Sequence, residues 1–127
     1  MSGKEQDFIK EAFDTNWVVP LGPNVNAFEK SLQDFLIENG KLKIENEGKQ
    51  VVALSAGTAA LHLGLILLGV QAGDEVICQS FTFCASANPV TYLGATAVFV
   101  DSEEDTWNMN PVLLEEAIRD RIAKTGR

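Results

Sequence analysis

The chain has 127 residues, 46% of them hydrophobic, which is one domain's worth of sequence with ample apolar content for a core and excludes a disordered segment. Eighteen acidic residues against ten basic ones give a net charge of −8, and the basic residues form no run or stripe, which argues against nucleic acid or an anionic membrane as partner. No apolar stretch reaches transmembrane length, and the polar start from Met1 to Asp7 lacks the apolar core of a signal peptide, so the chain reads as a cytoplasmic protein.

In chain order, Phe8, Ile9, Ala12 and Phe13 recur at helical spacing and predict a short amphipathic helix from Glu5 to Thr15. Asn16 to Asn24 holds two prolines and a glycine and reads as a loop. A second helix follows, capped by Asn24 or Asn26, with Phe28, Leu32, Phe35 and Leu36 on its apolar face. Glu38 to Lys49 is a polar surface connection.

From Gln50 the pattern alternates strand and helix, the sequence form of stacked βαβ units with parallel pairing. Strand Val51 to Leu54 leads into helix Thr58 to Leu68, ended by Gly69; Asp74 precedes strand Glu75 to Gln79; helix Phe83 to Tyr92 ends before Gly94, and strand Thr96 to Val100 follows. Asn110 and Pro111 form a cap and first-turn pair for a last helix bearing Leu113, Leu114, Ala117 and Ile118. Arg119 to Arg127 is polar where an alternating sheet calls for another strand, and three strands are few for an open parallel sheet, so the chain reads as a piece that self-associates.

Ligands of open parallel sheets sit at the carboxyl ends of the strands, which here hold Ser55 to Thr58, Gln79 to Phe83, and Asp101. The first of these turns is built for a phosphate. The opening N–H groups of a helix have no intrahelical partner and lie at the positive end of its dipole. Gly57 permits close approach, Ser55 and Thr58 offer hydroxyls, and Ala59 and Ala60 keep the turn uncluttered. Small residues for tight strand-to-helix packing explain the motif equally well. Phe81 and Phe83 offer rings to a flat phosphorylated cofactor, a nucleotide or pyridoxal phosphate, and are equally suited to core packing. Asp101 fits a turn or cap better than a ligand contact. Cys78 and Cys84, with His62 as the single histidine, do not complete a zinc site, and both read as reduced, packed thiols. His62 is assigned no role.

Five segments then carry a resemblance: Asn16-Trp-Val-Val-Pro-Leu-Gly-Pro23, Leu54-Ser-Ala-Gly-Thr-Ala-Ala-Leu-His-Leu63, Gly73-Asp-Glu-Val-Ile77, Ser80-Phe-Thr-Phe-Cys-Ala-Ser86 and Leu93-Gly-Ala-Thr-Ala-Val-Phe-Val-Asp101. In this order and spacing, over nearly the whole chain, they resemble the DegT/DnrJ family of sugar aminotransferases, and within it the UDP-sugar 4-aminotransferases of the bacillosamine type. The resemblance implies an α/β fold, the amino-terminal part of the large domain of the aspartate-aminotransferase fold (PLP fold type I), three-layered with a mostly parallel sheet. Residues 1–49 then supply amino-terminal helices and an active-site loop, and residues 50–127 an incomplete large domain that binds pyridoxal 5'-phosphate. It places the cofactor phosphate on Gly57, Thr58 and Ala59 and the pyridine ring on Phe83. It sets the loop of Trp17, Pro20, Leu21 and Gly22 near a substrate site shared by two subunits of a homodimer, although Trp17 serves equally as a loop anchor. Ala56 departs from the serine that relatives often carry there.

The implied reaction moves an amino group from glutamate to a nucleotide-linked keto-sugar, in amino-sugar and surface polysaccharide synthesis. Such transaminases need a Schiff-base lysine and an aspartate on the pyridine nitrogen. None of the seven lysines (Lys4, Lys10, Lys30, Lys41, Lys43, Lys49 and Lys124) lies at a strand end, so the chain alone is expected to be inactive. A sugar dehydratase relative, a non-catalytic cofactor-binding remnant or interaction module, and a small nucleotide-binding domain are the alternatives. The last lacks both the Gly-x-Gly-x-x-Gly spacing and a P-loop lysine.

Overall fold

The computed structural model describes residues 2–40 and 51–126. The polar connection from Glu38 to Lys49 lies outside the described residues beyond Gly40, as do Lys41, Lys43 and Lys49. The chain divides into two compact units, Met1–Ala53 and Leu54–Arg127.

In the first unit, α1 spans Glu5–Asp14 and α2 spans Pro23–Glu38. Glu5 and Asp7 in the first turn of α1 complement its dipole, and Lys10 pairs with Asp14 one turn on. α2 does not use Asn24 or Asn26 as its cap: it starts at Pro23 with Gly22 in the capping position. Proline's fixed φ suits the first helical turn, and the N–H it lacks is one that needs no intrahelical partner there. Glu29 stands in the apolar stripe of α2 and is 4% exposed. Its Oε1 accepts a hydrogen bond from the Ala53 N–H at 2.8 Å. Val51 to Leu54 is not a strand, because among the described residues its backbone joins no ladder, and an extended segment becomes a strand only when a neighbour takes its N–H and C=O groups.

The second unit is a βαβ arrangement with a helix before it and one after. α3 (Gly57–Leu67), β1 (Glu75–Gln79), a 3₁₀ turn (Cys84–Ser86), α4 (Asn88–Tyr92), β2 (Thr96–Val100) and α5 (Pro111–Thr125) follow in order. β1 and β2 pair in parallel, in register from Glu75 opposite Thr96 to Gln79 opposite Val100. Both strands keep their expected bounds. The single helix anticipated from Phe83 to Tyr92 is instead a 3₁₀ turn and a short helix. Pro89 has no N–H for the carbonyl four residues back, so the chain breaks at Ala87 and restarts with the proline in its first turn. Cys78, Val90 and Ala95 form the core, with Leu65, Val70, Val76 and Ala97 packed against them. Alternate residues of β1 face opposite ways: Val76 and Cys78 pack in the core with Leu65 of α3, while Glu75 pairs with Arg121 of α5. That is a three-layer α/β/α order.

α5 runs further than its apolar spacing indicated, to Thr125, and closes on Gly126 in the left-handed region. Its polar end is held by Asp120 with Lys124 at 2.8 Å and by Arg121 with Glu75 of β1 at 3.2 Å. Asn110 caps it as anticipated, its side chain accepting from Val112 N at 2.9 Å and Leu113 N at 3.2 Å. Gly94 has φ +72, and a Cβ there would come within 3.0 Å of Ala72 Cβ. Asn110→Ala is expected to destabilise the second unit by about 1 kcal/mol, read as a lower denaturation midpoint at unchanged slope.

Candidate functional site

Ala56, the residue before α3, is extended (φ −163°, ψ 161°), and the first intrahelical bond runs from Ala60 N to Ala56 O at 3.2 Å. The N–H groups of Gly57, Thr58 and Ala59 therefore precede the ladder, no side chain caps them, and no acidic residue occupies the first turn. A Cβ built on Gly57 meets no atom within 4 Å. The positive end of α3 thus faces open space with its donors unused among the described residues, which fits a phosphate group.

The second turn follows β1. Thr82 Oγ1 and Ser86 Oγ lie 2.8 Å apart, Thr82 N donates to Ser80 O at 3.0 Å, and Ser86 N donates to Phe83 O at 2.9 Å. Thr82 and Ser86 line one cavity of about 600 Å³ with Ala60 and Leu61 of α3 and with Cys78 and Gln79 of β1. The cavity thus joins the second turn to the body of α3 from Ala60 onward, and residues 55–59 are not part of its lining. Phe83 is 79% exposed and Phe81 64% exposed, so neither ring serves the core. Cys78 is buried, and burial pushes its thiol up, whereas Cys84 is exposed and is not the packed thiol anticipated. The 3₁₀ turn that begins at Cys84 lies outside the core cluster. His62 meets Tyr92 edge-on, ring centroids 5.5 Å apart.

The third turn is a closed loop. Asn110 N donates to Asp101 O and Glu103 N to Asn108 O, both at 2.9 Å, and Ser102 bridges Met109 antiparallel. Asp101 accepts from Ser102 N at 2.8 Å and Ser80 Oγ at 2.9 Å, and these bonds hold its carboxyl below the usual aspartate range. The turn role thus describes Asp101. Glu103 is lowered likewise, first by the Thr106 hydroxyl and then by the Asp105 N–H.

Sequence reasoning passed over Gln79 and Trp107. Gln79 Nε2 donates to Ser102 Oγ at 2.8 Å and to Trp107 O at 2.5 Å. Trp107 has φ +63, a conformation that costs a side chain of its size roughly 1–3 kcal/mol, and its ring centroid lies 5.3 Å from that of Phe81. A lone tryptophan in the polar run Asp101 to Asn110 was the available signal.

In the first unit, Trp17 N donates to Ala12 O at 2.8 Å, and a Cβ on Gly22 would come within 3.2 Å of the Trp17 ring. The ring therefore lies over the Gly22 backbone. Trp17 is half exposed, and Pro20 and Leu21 are exposed.

A two-stranded parallel sheet packed with helices places the second unit in the α/β class. Comparison with known proteins narrows that class. The chain belongs to the DegT/DnrJ/EryC1/StrS aminotransferase family, whose profile matches residues 1–124. It is 52% identical over 121 residues to the Bacillus subtilis (strain 168) protein EpsN, covering 94% of this chain and 28% of that one. It is 41% identical over 101 residues to the UDP-2-acetamido-2-deoxy-3-oxo-D-glucuronate aminotransferase of Pseudomonas aeruginosa, covering 80% of this chain and 25% of that one. Among solved structures, Spr1654 of Streptococcus pneumoniae in its PMP form superposes with a TM-score of 0.68 at 37% identity, over 86% of this chain and 26% of that one. Its PLP form matches at 0.67 and 35%, over the same shares of the two chains. The fold is that of PLP fold type I, the cofactor of the family is pyridoxal 5'-phosphate, and the chain spans about a quarter of the length of the relatives it matches.

Both lowered carboxyls predict a pH dependence. A folded value below the unfolded one contributes stability that is complete above the unfolded value, near pH 4 to 5, and is lost as pH falls through the folded value. NMR titration of the Asp101 carboxyl is expected to give a midpoint below that of an ordinary exposed aspartate, and a midpoint at or above it contradicts the clasp on Ser80 and Ser102.

Proposed function

We propose that residues 57–59 bind the phosphate of pyridoxal 5'-phosphate through the N–H groups of Gly57, Thr58 and Ala59, and that Phe83 stacks on its ring. The observation that carries this reading is the bare, acid-free start of α3 in a chain of this family. The helix dipole attracts the phosphate dianion, and unused donors bind it without breaking a bond made elsewhere. When bound, the cofactor supplies an electron sink for amino transfer. What these residues do is hold and orient it; the exposed ring of Phe83 excludes water from one face. Trp17, Pro20, Leu21 and Gly22 form the substrate loop of the first unit.

In the whole protein, the reaction is transfer of an amino group from glutamate to a nucleotide-linked keto-sugar, by a cytoplasmic homodimer in amino-sugar and surface polysaccharide synthesis. The Pseudomonas aeruginosa relative, named for a UDP-linked oxo-sugar, supports that substrate class. Lys124 is the one lysine of the second unit and pairs with Asp120. Lys10 and Lys30 pair with Asp14 and Asp34. The sole lysine of the second unit thus stands in the last turn of α5 and not at a turn assigned to the cofactor, which supports the expectation that the 127-residue chain alone forms no 2-oxoglutarate from glutamate and a keto-sugar nucleotide. Steady production of it overturns that part of the reading.

The binding step is tested with pyridoxamine 5'-phosphate, which cannot form stray imines with lysines. Thr58→Asp puts a carboxylate where the dianion sits and is expected to weaken binding about tenfold or more, given the strength of charge interactions at a helix start. Unchanged affinity in equilibrium dialysis would remove the phosphate from this turn.

A further inference from the structure

The geometry points to Trp107 as a positioning residue that sets, through Phe81, the orientation of Phe83. The proposal rests on the cofactor reading of Phe83 and extends it to a residue of the loop between β2 and α5.

The turn that carries Phe83 has little regular structure of its own. Ser80 is tied to β2, its N–H donating to Val100 O at 2.8 Å and its hydroxyl to Asp101 at 2.9 Å. Thr82 is tied onward to Ser86. Between these two ties, the Phe81 ring meets the ring of Trp107, 5.3 Å away and tilted by 49°. Phe83 follows Phe81 by two residues, so a rotation of the backbone at 81 swings the stacking ring directly.

Trp107 is held in turn. Gln79 at the end of β1 grips its carbonyl and the Ser102 hydroxyl with one amide nitrogen, and the Asp101–Asn110 loop is closed by its own bonds. The tryptophan keeps a left-handed φ of +63. Strained backbone persists where the surroundings over-determine it. Yet both rings remain more than 60% exposed. Burying apolar area is therefore a poor account of why the loop accepts that conformation, and bracing the 80–83 turn is a better one.

The test uses the 127-residue chain with pyridoxamine 5'-phosphate as probe, reading its dissociation constant and the circular dichroism induced in the bound probe's absorption band. Inorganic phosphate is the second probe, and it reports the helix start alone. Phe83→Ala and Trp107→Ala are expected to weaken pyridoxamine phosphate about fivefold, the scale of one aromatic stack, and to remove most of the induced signal. Both leave phosphate affinity within about twofold. Trp107→Phe restores the signal. Gln79→Glu keeps the volume but loses the donor, and it lowers the signal without a change in far-ultraviolet dichroism, so it decides the matter if Trp107→Ala fails to fold. If Phe83→Ala loses the signal while Trp107→Ala and Gln79→Glu keep it, the brace is overturned and the cofactor reading stands. If the unaltered chain binds phosphate but not pyridoxamine phosphate, the stacking reading and the brace both fall.

Discussion

Five residue pairs in register, from Glu75 with Thr96 to Gln79 with Val100, bring the carboxyl ends of β1 and β2 to one edge of the sheet. The second and third turns of the second unit hang from that edge. The bond from Ser80 N to Val100 O continues the ladder by one step and hands the chain to the 80–83 turn, while Asp101, one residue past β2, reaches back to the Ser80 hydroxyl. An antiparallel pair would put the two ends at opposite edges, and the two turns could not share hydrogen bonds.

The start of α3 works by omission. Helix starts ordinarily carry a Ser, Thr, Asp or Asn side chain on the free N–H groups, or an acid in the first turn. Here Ala56 and Gly57 offer neither, and Thr58 is already inside the helix. A capping serine would stabilise the helix and occupy donors that an anion needs. Glu29 applies related physics in the first unit, where a buried carboxylate accepts the backbone N–H of Ala53.

Much of this was legible from residue order. β-branched runs bounded by Asp74 and Gly94 marked β1 and β2, and the Asn110-Pro111 pair marked the start of α5, because both signals act within a few residues. Val51 to Leu54 misled because its composition is that of a strand, whereas a strand is a relation between two segments. Asn24 and Asn26 misled because Pro23 claims the first turn of α2 before either can cap it. α3 was found despite having no polar face: Leu61, Leu63, Ile66 and Leu67 point to several sides of it. Its glycine-flanked length, not its periodicity, identified it.

Sequence by itself determined β1 and β2 with their parallel pairing, the helix that opens at Gly57 and the family, since these are written in local spacing and in motifs that stand in order along the chain. Tertiary structure alone decided that Gln79 grips a carbonyl 28 residues away, that Trp107 meets Phe81, and that Cys84 faces outward while Cys78 is buried. The physical reason is distance along the chain. A contact between side chains some twenty or more residues apart depends on strand register and loop closure, and neither leaves a periodic trace in the residues themselves.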